Sequence, residues 1–333
     1  MKKYNFAIVG ATGMVGRTFI TVIEEQGLPV GNIHFFASAR SAGQKISFMG
    51  GEYTVEELTT SSFDRDIDIA LFSAGGSLSR EYAPLAVGKG AVVIDNSSAW
   101  RMDPDVPLVV PEVNPEDIRL HNGIIANPNC STIQAVVALK PIYDAYGIKR
   151  IVYSTYQSVS GAGKSGCDEL TNTLEGNPAK LMPHPIAGNC IPHIDAFLDN
   201  GYTKEEMKMV NETRKIMHAP HLRITATTVR VPVYYSHSES INVELEKQFD
   251  VDELREILRN SPGITVQDDP KSNLYPLARN AAGKDDTFVG RIRRDESVDS
   301  GLNMWVVSDN IRKGAATNAV QIARELIKIW EES

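Results

Sequence analysis

Apolar positions near the N-terminus fall in short blocks separated by stretches of helical periodicity. Tyr4 to Val9 is an apolar run that ends in Gly10-Ala11-Thr12-Gly13-Met14-Val15-Gly16, after which Thr18, Phe19, Val22 and Ile23 recur at helical spacing. This predicts a strand, a tight turn and a helix. Ile33 to Ala37, Asp68 to Phe72 and Ala91 to Ile94 predict further strands, each apolar enough for a sheet covered on both faces, with a helix over Arg80 to Lys89 between two of them. Alternation of this kind over about the first 125 residues predicts an α/β fold with a Rossmann-type doubly wound parallel sheet and its ligand crevice at the strands' carboxyl ends.

After Cys130 the pattern changes. A long helix runs through Tyr143, followed by strand-like runs at Arg150 to Tyr156, Ile224 to Tyr235 and Ser240 to Leu245, whose length suits a mixed sheet in a second, α+β domain. From Ala315 to Trp330 the apolar residues Ala319, Ile322, Ala323, Leu326, Ile327 and Trp330 line one side of a helix, which is expected to pack back on the first domain. The expected division is therefore 1–128, completed by 310–333, and 129–309. No repeat or low-complexity tract interrupts this plan.

Composition narrows the function classes. The 333 residues are 42% hydrophobic and 23% charged, an ordinary globular balance with room for two domains. A net charge of −8 leaves no bulk basic field for a nucleic-acid backbone or an anionic membrane, so anionic ligands must meet local arginines. Three cysteines, Cys130, Cys167 and Cys190, have neither metal-ligand spacing nor the density of a disulfide scaffold, which predicts no metal site and a reducing compartment. Gly10 and Gly13 interrupt the first apolar stretch and no apolar run reaches the ~18–20 residues that span a bilayer, so a soluble, cytoplasmic protein is expected.

Gly10, Gly13 and Gly16 permit a tight turn and close approach of backbone to a pyrophosphate, and the helix that follows offers its free N–H groups and positive dipole. Thr12, Met14 and Val15 complete this loop as cofactor contacts. Past the second strand, where an NAD-binding chain carries an acid for the ribose hydroxyls, stand Ser38, Arg40 and Ser41. A cation and hydroxyls suit the 2′-phosphate of NADP, against the alternative of a solvated loop arginine. Cys130 follows Asn127-Pro128-Asn129 at the start of the long helix, where the dipole stabilises a thiolate; the alternative, a buried small hydrophobe, is kept for Cys167 and Cys190.

The set Asn-Pro-Asn-Cys-Ser-Thr around Cys130, the glycine loop, Ser38 to Gly43, Arg230 to Ser240, Phe288 to Asp295 and Asp309 to Asn318 resembles the aspartate-semialdehyde dehydrogenase family, nearly end to end. The resemblance implies a phosphorylating, NADP-dependent aldehyde dehydrogenase that interconverts L-aspartyl 4-phosphate and L-aspartate 4-semialdehyde in the biosynthesis of lysine, threonine, methionine and isoleucine. It makes 1–128 the cofactor domain and 129–309 the catalytic and dimerisation domain of a homodimer or homotetramer. By motif match it implies Cys130 as nucleophile, His237 as acid/base catalyst and Gln157 as the residue that orients substrate. It implies Arg230 for the α-carboxylate, Arg101 and Lys215 for phosphate, Glu212 near the amine, Asn129 beside the substrate, and Ser160, Gly161 and Asn310 as further cofactor contacts. Arg230 and His237 then need a turn or bulge in the strand-like run between them.

Other residues keep plainer readings. His184, His193, His218 and His221 have no partner motif, and Arg291, Arg293 and Arg294 read as a salt-bridged or interface face. Ala278 stands where the family often has a second proline, which affects a loop's shape. Two enzymes of similar fold are weighed and set aside: N-acetyl-glutamyl-phosphate reductase typically follows its cysteine with Tyr-Pro-Thr, and a glyceraldehyde-3-phosphate-type enzyme is expected to carry an acidic ribose ligand. A catalytically silent nucleotide-binding protein is the remaining alternative, since fold does not imply function.

Overall fold

A computed structural model describes residues 2–332. The chain divides into two compact units, one reaching Pro128 and resuming at Ala315, the other Asn129–Gly314. In the first, β1 (Tyr4–Val9), α1 (Met14–Glu25) and β2 (Val30–Ala37) are followed by a small hairpin, β3 (Lys45–Phe48) and β4 (Gly51–Thr54), and the short β5 (Glu56–Glu57). Then come β6 (Ile69–Phe72), α2 (Gly76–Gly88), β7 (Val92–Asp95) and β8 (Ile124–Ala126). The sheet runs β5-β2-β1-β6-β7-β8 with every pairing parallel, and β1 lies at the point where strand order reverses. This is the doubly wound parallel sheet that the sequence predicts. Its strands bury both faces, as the near-continuous apolar runs of β1, β6 and β7 require.

The second unit contains α3 (Cys130–Tyr146), β9 (Ile148–Gln157), α4 (Lys164–Leu174), α5 (Lys204–Ile216), β10 (Arg223–Arg230) and β11 (His237–Leu245). It continues through α6 (Val251–Arg259), β12 (Ile264–Val266), α7 (Ala278–Ala281), β13 (Thr287–Asp295) and β14 (Gly301–Ser308). The sheet order is β10-β9-β11-β14-β13-β12, parallel at its two outer pairings and antiparallel within, so it is mixed as expected. Even-odd alternation along β9 buries Tyr153, Thr155 and Gln157 and exposes Tyr156; α3 packs on the buried side. The last helix, α8 (Thr317–Glu332), belongs to the first unit, where Val320, Ala323, Leu326 and Ile327 join its core and Trp330 meets Tyr4 with ring centroids 5.5 Å apart.

One expected strand divides. The run Ile224 to Tyr235 is not continuous, because β10 stops at Arg230 and β11 begins only at His237. Pro232 lacks an N–H for a ladder and Ser236 adopts φ 71°, so the chain turns there and crosses β9 to pair on its other side. That crossing brings the ends of three strands together. Arg230 lies opposite Gln157 on one edge of β9, and Ser238 opposite Tyr156 on the other. Helices α4, α5 and α6 had no prediction, since polar and charged residues dominate them.

Candidate active site

In the first unit, the segment after β1 folds as a tight turn. Gly10 has φ 85° and its N–H donates to the Phe36 carbonyl of β2, while the Gly13 N–H donates back to the Gly10 carbonyl. A side chain at Gly10 would meet the Ser73 carbonyl oxygen at 2.4 Å, and one at Gly16 would meet the Gly10 oxygen at 2.1 Å, so both positions demand glycine on steric grounds. Gly13 caps α1 with no side-chain hydrogen bond, which leaves the first-turn N–H groups of Met14, Val15 and Gly16 to an anion. Ser38, Arg40 and Ser41 lie just past β2, the strand paired with β1, and Arg40 is exposed. Phosphate-sized anions are thus offered a backbone cradle and a cation at adjacent strand ends.

Arg101, also in this unit, is 8% exposed and fixed by carbonyls: its Nε donates to Asn127 and its Nη2 to Asn96, each at 2.9 Å.

The second unit builds its centre around the start of α3. Asn129 caps the helix, its Oδ1 accepting from the N–H groups of Ser131 and Thr132 at 3.0 and 3.3 Å, and this places Cys130 in the first turn. Two carboxylates of α5 hold Asn129 in turn. Its N–H donates to Glu212 Oε2 at 2.7 Å and its Nδ2 to Glu205 Oε1 at 2.9 Å; two turns of helix separate these acids, which puts them on one face. Gly314 packs on Cys130, where any side chain would approach the Cys130 Cβ to 2.9 Å.

Cys130 Sγ lies 3.2 Å from His237 Nε2. On the opposite edge of the imidazole, the Ser158 N–H donates to Nδ1 at 3.0 Å, and Ser158 Oγ stands 3.1 Å away. A backbone N–H can only donate, so Nδ1 is the ring's acceptor and the neutral ring carries its proton on Nε2, facing the sulfur. Complete burial, reinforced by the nearby Arg230 cation, pulls the His237 pKa down to about 3, so the ring is neutral at physiological pH. The imidazole is therefore poised as a hydrogen-bond donor to a thiolate.

Arg230 is 8% exposed and its Nη1 donates to the Ser158 carbonyl at 2.7 Å. Gly161 passes so close that a side chain there would come within 2.7 Å of Arg230 Nη1 and 3.3 Å of His237 Cε1. Gln157 is oriented at both ends, its Oε1 accepting from Thr155 and its Nε2 donating to Glu205, each at 3.0 Å. Burial pushes the Glu205 carboxyl up, but the Lys208 cation and the hydrogen bonds from Gln157 and Asn129 outweigh it and hold the pKa at about 2. Asn310 Oδ1 accepts from Ser158 Oγ, Ser160 Oγ and the Ser236 N–H, at 3.0, 3.1 and 2.9 Å, and its buried Nδ2 has no hydrogen-bond partner among the described residues.

Of the predicted residues in this unit, Cys130, His237, Gln157, Arg230, Asn129, Glu212, Ser160, Gly161 and Asn310 fall into one connected cluster. Lys215 lies two helical turns beyond Lys208, the lysine that meets Glu205 at 3.0 Å. Glu205, Lys208 and Ser158 went unnoticed in the sequence. A signal for the first two existed, the Glu-x-x-Lys spacing that pairs side chains one turn apart on a helix; for Ser158 none did, because its contribution is a main-chain N–H.

Comparison with known proteins agrees on one family. Residues 5–121 match the model described as semialdehyde dehydrogenase, NAD binding domain, and residues 139–313 the one described as semialdehyde dehydrogenase, dimerisation domain. The aspartate-semialdehyde dehydrogenase of Aquifex aeolicus is 59% identical over 334 residues, 98% of each chain. A crystal structure of aspartate semialdehyde dehydrogenase II from Vibrio cholerae, complexed with ASA, superposes with a TM-score of 0.94 at 50% identity, over 98% of this chain and 99% of that one. The Candida albicans aspartate semialdehyde dehydrogenase structure with NADP gives 0.76 at 25% identity over 98% of both chains.

Proposed function

Since the chain belongs to the aspartate-semialdehyde dehydrogenase family, we propose that it reduces L-aspartyl 4-phosphate to L-aspartate 4-semialdehyde with NADPH, through a thioester on Cys130. The observation that carries this reading is the Cys130–His237 contact at a helix N-terminus, with the proton of His237 aimed at the sulfur. The Cys130 thiolate, stabilised by the helix and by the Nε2–H, attacks the acyl carbon. A C–S bond forms, the C–O bond to phosphate breaks, and phosphate leaves with the electron pair. A bound NADPH supplies hydride, chemistry that no side chain can provide. His237 Nε2–H then faces the oxyanion at the former carbonyl; when the C=O re-forms, the C–S bond breaks and the returning thiolate meets the same N–H.

Arg230, its fork oriented by the Ser158 carbonyl, takes the α-carboxylate. Glu212, fixed at the Asn129 main chain, and the ionised Glu205 on the same face of α5 are the acids offered to the substrate ammonium, and Gln157, held by Glu205, orients the substrate. Arg101 and Lys215 hold the phosphate. The loop from Gly10 to Gly16, with Thr12 in its turn, cradles the cofactor's pyrophosphate, and Ser38, Arg40 and Ser41 receive the 2′-phosphate. Asn310 Nδ2 offers a donor of the kind a carboxamide oxygen accepts, with Ser160 and Gly161 beside it. We place subunit pairing in a homodimer or homotetramer on the open face of the mixed sheet, where Tyr156 is 39% exposed against Trp305. No described helix is long and apolar enough to cross a membrane.

The test is NADPH formation from L-aspartate semialdehyde with and without inorganic phosphate, with NAD in parallel. Turnover that requires phosphate and prefers NADP is expected. Folded protein without turnover overturns the substrate assignment, and equal use of NAD overturns the role given to Arg40.

A further inference from the structure

Directly beneath the reacting pair lies a second pair that the proposed mechanism does not use. Gln134 is four residues beyond Cys130, on the same face of α3, and Glu239 is two residues beyond His237, on the same face of β11. Helix and strand pack together, so the layer Cys130–His237 is repeated one step deeper as Gln134–Glu239. Both deeper side chains are wholly buried. Across the sheet Glu239 faces Thr155 on β9 and Val306 on β14. The titratable groups that act on it are Glu205 of α5 and, on β9, Tyr153, whose hydroxyl meets Thr213.

Burial drives the Glu239 carboxyl well above the ordinary carboxylate range, and Glu205 adds to the effect. Gln134's amide is close enough to pull the other way, but loosely: neither carboxyl oxygen and neither amide atom has a well-formed hydrogen bond to any described residue. Four polar atoms buried together in this state are costly unless they satisfy one another. The chemistry permits one complete solution. A carboxylic acid and a primary amide close a two-bond ring, the acid O–H donating to the amide oxygen and an amide N–H donating to the acid carbonyl. A carboxylate lacks the O–H and would put a negative charge beneath the Cys130 thiolate.

We propose that Glu239 is a positioning residue that works as a neutral carboxylic acid, closing an acid–amide ring with Gln134 that fixes the helix carrying Cys130 against the strand carrying His237. The inference rests on the assignment of Cys130 and His237 as the reacting pair. Its function is register. With the ring closed, the Sγ–Nε2 line is held from below, while the ring adds no charge to compete with the thiolate for the Nε2–H.

The test compares Glu239→Gln and Glu239→Leu in the full-length enzyme by three measurements: kcat and KM, the pH profile of kcat, and the rate at which iodoacetamide alkylates Cys130. The last does not depend on the substrate assignment, so failure of that assignment, seen as wild type without turnover, stays distinguishable. Glutamine also forms the two-bond ring with Gln134, so Glu239→Gln should keep wild-type kcat, pH profile and alkylation rate. Glu239→Leu should lower kcat by on the order of tenfold to a hundredfold, the scale of a small displacement of reacting groups, with KM little changed and alkylation slowed. If Glu239→Leu does not fold, Glu239→Gln still decides. Loss of more than tenfold in kcat with Glu239→Gln, or a wild-type pH limb that this variant removes, would mean that an ionised carboxylate is required and would overturn the proposal, as would full activity in Glu239→Leu.

Discussion

The cofactor loop after β1 and the centre around Cys130 achieve their geometry in opposite ways. The loop is local: within seven residues, glycines at 10 and 16 remove side chains that would strike main-chain oxygens, and the helix start supplies the N–H groups. The Cys130 centre is assembled from distant parts of the sequence, with Ser158 setting the tautomer of His237, Asn129 bridging two acids of α5, and Gly314 closing on the cysteine. A locally specified site should fail by losing its ligand; a network site should fail by losing rate while still binding. Substitutions can separate the two.

The largest effect is expected at the network. His237→Asn removes the Nε2–H that faces the sulfur and should lower kcat by about 10²–10⁴-fold with the NADP Kd unchanged, read by steady-state kinetics and fluorescence titration. A large rise in Kd instead would erase the distinction. In the loop, Gly16→Ala sets a methyl group against the Gly10 oxygen and forces the turn to move. It should weaken NADP binding by at least tenfold while leaving the iodoacetamide reactivity of Cys130 near wild type, on a strain cost of roughly 1–3 kcal/mol. Arg40→Ala should cost NADP about tenfold in kcat/KM and leave NAD unaffected, since an exposed cation acts only through the 2′-phosphate.

Acid stability reads the same network without substrate or cofactor. His237 resists protonation until about pH 3, against about 6.5 in an unfolded chain, so below pH 6.5 the unfolded state takes up a proton that the folded state refuses, and stability falls toward pH 3. Glu205, ionised down to about pH 2, adds a loss of its own as pH drops below 4.5. Glu239 acts in the reverse direction, keeping its proton in the fold and so contributing less as pH rises. In thermal melts between pH 7 and 4, His237→Gln should flatten the decline of Tm; an unchanged slope would show that the ring is not held neutral.

This contrast also explains what the sequence made legible. Period and composition are local, and they located β1, the first glycine turn and α8 almost to the residue. They ran β10 and the approach to β11 together, because Ile224 to Tyr235 is apolar enough to pass for one strand and the positive φ of Ser236 carries no signature in a serine. They missed α5, whose charged residues mask the single face that holds Glu205, Glu212 and Met209 inside. Motif resemblance supplied Cys130, Gln157, Arg230 and His237. It could not supply Ser158, whose decisive atom is an amide nitrogen, or the neutrality of His237, which follows from burial and from an arginine seven residues away that the turn brings back.

The central claim, that a Cys130 thioester links hydride transfer to phosphate, is tested most directly by a single turnover. Enzyme mixed with L-aspartate semialdehyde and NADP in the absence of phosphate should form NADPH in a burst matching the active-site concentration, then stall with an aspartyl group on the Cys130 peptide by mass spectrometry; added phosphate should restart turnover. A burst of the same size in Cys130→Ser, or phosphate-independent turnover with no adduct on wild type, would contradict the account.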